Sequence, residues 1–289
     1  EYNGTGWTAG GNMNTARFRV AGAGTLTAGI IFGGYIPPDS NATETYNGTT
    51  WTSSPYNLNT ARHSLGGGGT STSALAFGGG PGYKNDTEEF DGEGWTSVNN
   101  LNTSRISIMG AGANAEGCLA FGGSTPGGPP TVTSNATESW DGTNWTAVNN
   151  MNTARYGGAG AGTQTAALAA GGLVGPSTMQ TAAESWDGTN WTAIPSLATA
   201  RARLTAAGTT TAGLAAGGQT PSLSGVTEEF NKSASVITAG AWASGGTLNT
   251  SRQRTGGFGN AQTSAVTAAG ATAPPSSTAL NKTEEYDGT

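Results

Sequence analysis

The sequence predicts an all-β fold built from six repeated units, each with four short antiparallel strands. The stretch Thr137–Arg155 returns almost letter for letter as Ala183–Arg201, with looser copies elsewhere, and a repeat of this length organises a whole chain. The arginine that ends each copy recurs at intervals of 43 to 51 residues. Most units also carry Asn-Gly or Asp-Gly, which is typical of tight β-hairpins because both central residues need a positive φ. These observations predict a six-bladed β-propeller with four-stranded antiparallel blades.

The unit that begins at Arg17 shows how the strands are assigned. In chain order it has a glycine-rich first strand, a tight turn, an almost wholly apolar second strand, a variable loop, and a third and a fourth strand joined by Asn47-Gly48. These segments cover residues 17–24, 25–28, 29–34, 35–42, 43–46 and 50–53. Small residues in the first strand suit the crowded centre of a propeller, where neighbouring backbones approach closely. The other blades start near residues 62, 105, 155, 201 and 252.

The two ends of the chain predict how the ring closes. The sixth unit stops before its fourth strand, whereas the chain begins with a fourth strand around Trp7 that has no N-terminal blade of its own. We therefore expect residues 6–9 to pair with the strand near Thr283–Tyr286 and complete the last blade, which leaves no long unpaired edge. Residues 1–289 are thus interpreted as one propeller domain, which starts within the repeat pattern and is expected to be a segment of a longer chain. The sequence Glu-Tyr-Asx-Gly-Thr occurs at both ends, although one third-strand position holds only one copy.

Composition restricts the class of protein. Charged residues make up only 10% and the net charge is −6, which argues against a nucleic-acid partner because phosphate binding calls for clustered Lys and Arg. No apolar run approaches the length of a membrane span, so no membrane insertion is expected, and no signal peptide opens the sequence. The eight Trp, seven Tyr and seven Phe recur at fixed repeat positions and argue against disorder. The single cysteine, Cys118, aligns with an apolar strand and is expected to be a small core residue.

Three residue types recur once per unit and are assigned structural roles. An arginine opens the first strand and a glutamate lies in the third, so we expect partly buried ion pairs that hold one blade in register with another. The alternative is a ring of arginines around the channel mouth that binds an anion. A tryptophan in the fourth strand is expected to pack between blades rather than to bind sugars. The sets are Arg17, Arg62, Arg105, Arg155, Arg201 and Arg252; Glu44, Glu88, Glu138, Glu184, Glu228 and Glu284; and Trp7, Trp51, Trp95, Trp145, Trp191 and Trp242.

The connections between second and third strands vary while the framework repeats. They share one face of the propeller with the connections between blades, whereas the opposite face carries tight turns. Variable loops on a rigid scaffold are where recognition usually occurs, although sequence drift also collects in loops. The candidate ligand-binding residues on this face are Tyr35, Pro38, Tyr83, Lys84, Pro129, Met179, Leu223 and Pro275.

The repeat resembles a known family. Gly-Gly after an apolar strand, Glu-x-aromatic-Asp-Gly, a Trp near the fourth strand and an Arg that opens the next unit resemble kelch repeats over essentially the whole chain. The fifth unit departs from this pattern, because the connection from Phe230 to Trp242 is longer and Ala198 replaces the usual Asn. The high content of Gly, Thr and Ala is also similar to that of repeat proteins encoded by marine phages and bacteria.

Enzymatic propellers provide the catalytic alternatives. In kelch-like copper radical oxidases, the copper is held by tyrosines and two histidines. This chain has a single histidine, His63, which excludes such a copper site. Six-bladed sialidases carry an Asp-box turn, which Ser139–Trp145 resembles, but Asp141 and Gly142 are adjacent here instead of separated. A sialidase also needs a tyrosine nucleophile, for which Tyr156 is the candidate. We expect no catalytic residue, no metal and no cofactor.

The sequence therefore favours a non-catalytic interaction module on an extracellular or virion surface. A phage fibre or capsid decoration that binds a host surface through the loop face would fit this composition. The partner is expected to be a protein or glycan on a host or neighbouring surface, and homo-oligomerisation or inclusion in a larger assembly is left open. The alternatives are a purely structural propeller within a filament or surface assembly, and a sialidase-like carbohydrate-active enzyme.

Overall fold

A computed structural model describes residues 1–2, 6–127, 132–232, 241–244, 247–261, 264–271, 279 and 283–286. Within these residues there are thirty β-strands and no helix. Twenty-four of the strands form six four-stranded antiparallel sheets. The fold is the expected six-bladed β-propeller.

Each blade has its strands in chain order from the central axis outwards, and the last blade takes its outer strand from the start of the chain. From blade one to blade six, the first strands are Ala21–Thr25, Gly66–Gly69, Met109–Asn114, Ala159–Thr163, Thr205–Gly208 and Gly256–Ala261. The second strands are Ala28–Phe32, Ala74–Phe77, Gly117–Phe121, Ala166–Ala170, Ala212–Ala216 and Ser264–Ala268. The third strands are Thr43–Tyr46, Thr87–Phe90, Thr137–Trp140, Ala183–Trp186, Thr227–Asn231 and Thr283–Tyr286. The outer strands are Trp51–Ser53, Trp95–Val98, Trp145–Val148, Trp191–Ile194, Ala241–Ser244 and Thr8–Ala9.

Three loops between second and third strands contain a small hairpin of their own, which the sequence analysis did not anticipate. The two-residue strands pair as Ser124–Thr125 with Val132–Thr133, Leu173–Val174 with Thr178–Met179, and Gln219–Thr220 with Ser222–Leu223.

The N-terminal strand closes the ring, as predicted. Thr8 pairs with Glu285 and Ala9 with Glu284, in antiparallel register with the third strand of blade six. Tyr2 and Tyr286 both register against Ala265 of the second strand. The tyrosines of the two Glu-Tyr copies therefore register at the same position of the last blade.

The two residues after each second strand join consecutive blades; they are Gly-Gly in blades one to five and Ala269-Gly270 in blade six. The amide of the second glycine, or its equivalent, donates to the carbonyl of the buried arginine in the next blade at 2.8–3.0 Å, and the bond from Gly270 to Arg17 connects blade six to blade one. The turn requires a left-handed backbone; Gly34, for example, has φ of +109° and a Cβ there would lie 2.6 Å from Val20 Cγ1. Glycine at this position thus serves the closure of the ring.

The small residues of the first strands are explained by the contact between neighbouring blades. A Cβ on Gly160 would lie 2.5 Å from the carbonyl oxygen of Gly110, and one on Gly110 would lie 2.5 Å from that of Gly67. Real Cβ atoms do not approach a backbone oxygen so closely, so a larger residue would force the blades apart.

The tryptophans of the outer strands pack between blades. The indole of Trp145 meets the ring of Phe77 in the preceding blade at 5.0 Å, and its Nε1 donates to Thr87 Oγ1 at 3.0 Å. Trp7, Trp95 and Trp191 make the same kind of hydrogen bond to a third-strand threonine of the preceding blade. Trp51 is buried against Phe258 of blade six. The side chain of Trp242 lies outside the described residues.

The six arginines that precede the first strands are fully buried. Arg105 donates to the carbonyls of Gly122 at 2.9 Å and Ala136 at 2.7 Å, and pairs with Glu138 Oε1 at 2.7 Å. Burial lowers the pKa of Arg105, and the charge of Glu138 opposes this shift. The equivalent pairs are Arg17–Glu44, Arg62–Glu88, Arg155–Glu184, Arg201–Glu228 and Arg252–Glu284.

Each ion pair lies within one blade, whereas the sequence analysis placed it between blades. The second carboxylate oxygen of Glu138 accepts from the backbone amide of Asn102 at 2.7 Å and from its Nδ2 at 2.8 Å. Asn102 belongs to the connection that enters the blade, so the glutamate fixes this connection onto the blade it leads into. Ala198 keeps the backbone bond to Glu228 at 2.6 Å, although alanine provides no side-chain amide.

Candidate functional site

A central channel follows the propeller axis, and the cavity volume along it decreases from one face to the other. Its mouth is a cavity of about 270 Å³ at the start of the first strands. The middle of the channel has about 110 Å³. The far end has about 70 Å³ and is lined by Gly and Ala apart from Phe258. Side chains able to select a ligand are therefore concentrated at the mouth, on the face that carries the long loops, termed here the long-loop face.

A closed ring of backbone hydrogen bonds forms the rim of this mouth. Each blade contributes the residue two positions after its buried arginine, and every one has a left-handed backbone with φ of 53–60°. The amide of each donates to the carbonyl of its counterpart in the preceding blade at 2.6–2.9 Å, and the bond from Arg19 to Arg254 closes the circle. We call this ring the belt; in blade order it consists of Arg19, Ser64, Ser107, Gly157, Arg203 and Arg254.

The belt holds five non-glycine residues in a conformation that L-residues seldom adopt. Left-handed backbone costs a residue with a Cβ about 1–2 kcal/mol, and such strain clusters at functional positions. Because the belt amides and carbonyls bond to one another, the belt contributes its side chains, and not its backbone, to recognition at the mouth.

One half of the belt is positively charged. Arg19, Arg203 and Arg254 come from three consecutive blades and line the mouth cavity. Burial, together with the charges of Arg203 and Arg19, lowers the pKa of Arg254 to about 9. Burial also lowers the pKa of Arg19, to which the charge of Arg203 adds, and the pKa of Arg203. The three cations are thus close enough to repel one another.

The contacts of these arginines orient them without neutralising them. The guanidinium of Arg19 lies over the rings of Phe18 and Tyr35, 5.4 and 5.8 Å from their centroids. Arg203 donates to the side-chain amide oxygen of Gln219. Within the described part of the chain, none of the three belt arginines forms an ion pair with a carboxylate.

A histidine and an aspartate lie beside the charged half of the belt. His63 Nδ1 is 2.9 Å from Asp39 Oδ1. Burial lowers the pKa of His63, Asp39 raises it, and the charges of Arg19 and Arg254 lower it further. Asp39 also acts on Arg19 through space, so this carboxylate is shared with the imidazole.

The other half of the mouth is neutral. Ser64 and Ser107 occupy the belt in blades two and three, and Gly157 occupies it in blade four. Tyr156 also lines the cavity, and its hydroxyl is 3.3 Å from the carbonyl oxygen of Pro176. Burial raises the pKa of Tyr156, which favours the neutral phenol over a nucleophilic phenolate.

The predicted loop residues are distributed around the mouth rather than inside it. Tyr35 is half-buried between Phe18 and His63 and supports Arg19. Pro38 and Tyr83 are exposed, and Lys84 Nζ lies 3.6 Å from Asp86. Met179 and Leu223 are half-buried in two of the small hairpins. None of these six lines the mouth cavity, and Pro129 and Pro275 lie outside the described residues.

The sequence analysis missed the belt arginines as a site, although a signal was present. Aligned on the buried arginine, the position two residues later is Arg, Ser, Ser, Gly, Arg and Arg in the six blades. A position whose chemistry changes inside a conserved frame is a candidate for recognition, and the three arginines fall in adjacent blades.

The Asp-Gly turns that resemble the Asp-box of sialidases stabilise hairpins between strands. Asp141 Oδ1 accepts the amides of Thr143 at 2.9 Å and Asn144 at 2.7 Å, so it stabilises the hairpin turn. Asp187 does the same in the next blade. Across the described ranges, no cluster of three or more His, Cys, Asp or Glu could hold a metal ion, and no helix could span a membrane.

Comparison with models of known protein families gave no match, and comparison with curated proteins gave no similar sequence.

Proposed function

We propose that this propeller is a non-catalytic binding module that recognises a partner with its long-loop face, centred on the channel mouth. The observation that supports this most strongly is the mouth itself: three arginines and two serines of the belt, together with Tyr156, surround a cavity of about 270 Å³. Binding sites combine a preformed concave surface with a few polar groups that fix orientation.

The surroundings of the mouth favour recognition of a larger partner. Pro38 and Tyr83 are exposed on loops of the long-loop face, and Tyr83 is 39% exposed. Aromatic and arginine side chains are enriched where proteins bind partners. A ligand group in the mouth and contacts with these loops would together define one interface.

The sequence supports the finer assignment. The kelch-type motifs favour a scaffold for interaction, and the sparse charge with abundant Gly, Thr and Ala favours an exposed extracellular or virion-surface protein. We therefore propose that the module contributes to attachment at a host or neighbouring surface through a protein or glycan.

The test compares the two faces of the ring. The purified propeller is applied to cells and to glycan arrays, together with a Pro38→Ser/Tyr83→Ser variant on the long-loop face. A Lys232→Ser variant is the control, because Lys232 is exposed next to the turn at Thr211 on the opposite face. We expect reduced binding in the loop variant and unchanged binding in the control. Binding that depends on the control position instead, or that neither variant alters, would refute the proposal, and no binding at all would favour a purely structural role.

A further inference from the structure

The belt arginines, which are half-buried, differ from the six fully buried arginines of the repeat. Each arginine that precedes a first strand has its own glutamate partner, at 2.7 Å for Arg105 and 3.2 Å for Arg17. Arg19, Arg203 and Arg254 have no such partner among the described residues, although burial lowers the pKa of all three. Six arginines of this protein are thus paired with glutamates, whereas the three at the channel mouth have no carboxylate partner among the described residues.

This arrangement costs stability in the absence of an anion. Burial and like charges both disfavour the charged form of a group, and burial together with the charges of Arg203 and Arg19 lowers the pKa of Arg254 to about 9. Asp39 favours the charged form of Arg19, but it does not act on the pKa of Arg203 or Arg254. Negative charge supplied from outside would remove the repulsion.

The shape of the channel restricts what can supply that charge. The mouth has about 270 Å³, but the cavity beneath it has about 110 Å³ and is lined largely by small and aliphatic side chains of the first strands. An anionic group of a ligand can therefore contact the guanidinium groups of the belt arginines only near the rim. The ligand would present a compact anionic group end-on, with the remainder of the ligand outside the channel.

The belt also restricts the type of contact. Its amides and carbonyls are paired with one another at 2.6–2.9 Å, so it has no free edge on which an extended peptide could add a strand. The planar fork of a guanidinium matches the two or three oxygens of a carboxylate or sulfate.

We propose that the channel mouth binds one oxyanion group of a ligand, a carboxylate or a sulfate ester, through the guanidinium groups of Arg19, Arg203 and Arg254. Ser64, Ser107 and Tyr156 face the neutral side of that ligand. The inference rests on the proposed function, since it names the chemistry of the group that the long-loop face recognises.

The test uses small probes that carry a single charge. Isothermal titration calorimetry at low salt measures binding of methyl glucuronide and glucose 6-sulfate, with methyl glucoside as the neutral match. The variants are Arg203→Ser and Arg254→Ser, which place at these positions the residue that blades two and three already carry there. Lys232→Ser removes the same charge on the opposite face, and circular dichroism checks that each variant is folded.

We expect the wild type to bind at least one anion and not the neutral sugar. Each belt substitution should weaken binding by about tenfold or more, the effect of one lost charge-assisted hydrogen bond. Arg203→Lys should retain part of the affinity, because it keeps the charge but loses the fork. A preference for the glucuronide assigns a carboxylate, and a preference for the sulfate assigns a sulfate ester.

Three results would overturn the inference: no binding of either anion, equal binding of the neutral sugar, or an equal loss in the Lys232→Ser control. The outcome is separable from the face test with cells, in which Arg203 and Arg254 are unchanged. If loop variants alter attachment but the anions do not bind the mouth, the proposed function stands and the oxyanion site does not.

Discussion

Replacing Arg105 by alanine tests the buried ion pair most directly. The substitution removes hydrogen bonds of 2.9 and 2.7 Å to two backbone carbonyls and the 2.7 Å contact with Glu138. The side chains of Arg105 and Glu138 are 0% and 2% exposed, so water cannot readily take over the lost contacts.

The expected loss of stability follows from what remains. Glu138 keeps two hydrogen bonds from Asn102, but its charge has lost the neighbouring cation. Removing one partner of a buried ion pair costs about 3–5 kcal/mol, because the remaining charge stays buried without compensation. The hydrogen bonds from Asn102 would still stabilise the carboxylate of Glu138 in part. We therefore expect Arg105→Ala to lower the free energy of unfolding by about 3 kcal/mol.

Urea denaturation followed by tryptophan fluorescence measures this loss, because Trp145 lies in the same blade as Arg105. The matched variants are Glu138→Gln, and Arg105→Met combined with Glu138→Leu. The double replacement removes both charges and fills the space with apolar groups, so it should be less destabilising than Arg105→Ala. A loss below about 1 kcal/mol for Arg105→Ala, the range of an exposed pair, would refute the buried-charge argument.

Three further predictions concern the channel mouth, the packing of the first strands, and the closure of the last blade by the N-terminal strand. Arg254→Ser should raise Tm near neutral pH by about 2–4 °C if roughly 1 kcal/mol of burial penalty and charge repulsion is relieved after solvent screening. Because the pKa of Arg254 falls from 12.5 to about 9 on folding, the protonated side chain opposes folding at neutral pH, and the gain should shrink as pH rises above 9; a constant gain would contradict this origin. Gly160→Val should lower Tm strongly, since its Cβ would lie 2.5 Å from the Gly110 carbonyl oxygen, whereas Gly94, where a Cβ meets no atom within 4 Å, should accept alanine. Removing residues 1–5 should lower Tm, because Tyr2 is fully buried, packs on Trp7 at 5.0 Å and donates to Glu229 at 2.7 Å. Removing residues 1–9 should lower Tm further, since it also deletes the strand that completes blade six. An unchanged Tm for the shorter deletion would contradict this and indicate that Tyr286, which registers against the same residue as Tyr2, takes over its position.

The architecture could be predicted because its signals are local and repeated. Asx-Gly marks the outer hairpin of most blades, and the alternation of glycine-rich with apolar strands distinguishes the centre from the rest of the blade. The expectation that both residues of the Asx-Gly turn have a positive φ was wrong: only the glycine does, while the Asx side chain accepts turn amides, as Asp141 does. Ring closure followed from matching the Trp7 strand to the incomplete last unit, and the pairing of Thr8 with Glu285 confirms it.

The site could not be predicted in the same way, for two physical reasons. Left-handed backbone at Arg19, Ser64 or Arg203 has no signature in the sequence, because these residues do not intrinsically favour positive φ. The convergence of three arginines also depends on the angles between blades, which residue spacing does not specify. The loop residues around Pro38 and Tyr83 were recognisable from their variability, but their position relative to the mouth required the closed ring.

The belt separates the shape of the rim from its chemistry. Its hydrogen bonds use only main-chain atoms, so arginine, serine and glycine occupy it with nearly the same φ. Any of the six positions can therefore exchange its side chain without a change in the circle that carries it. The six side chains of the rim can therefore vary independently of one another, so new ligand preferences can arise by single substitutions while the scaffold beneath them stays the same.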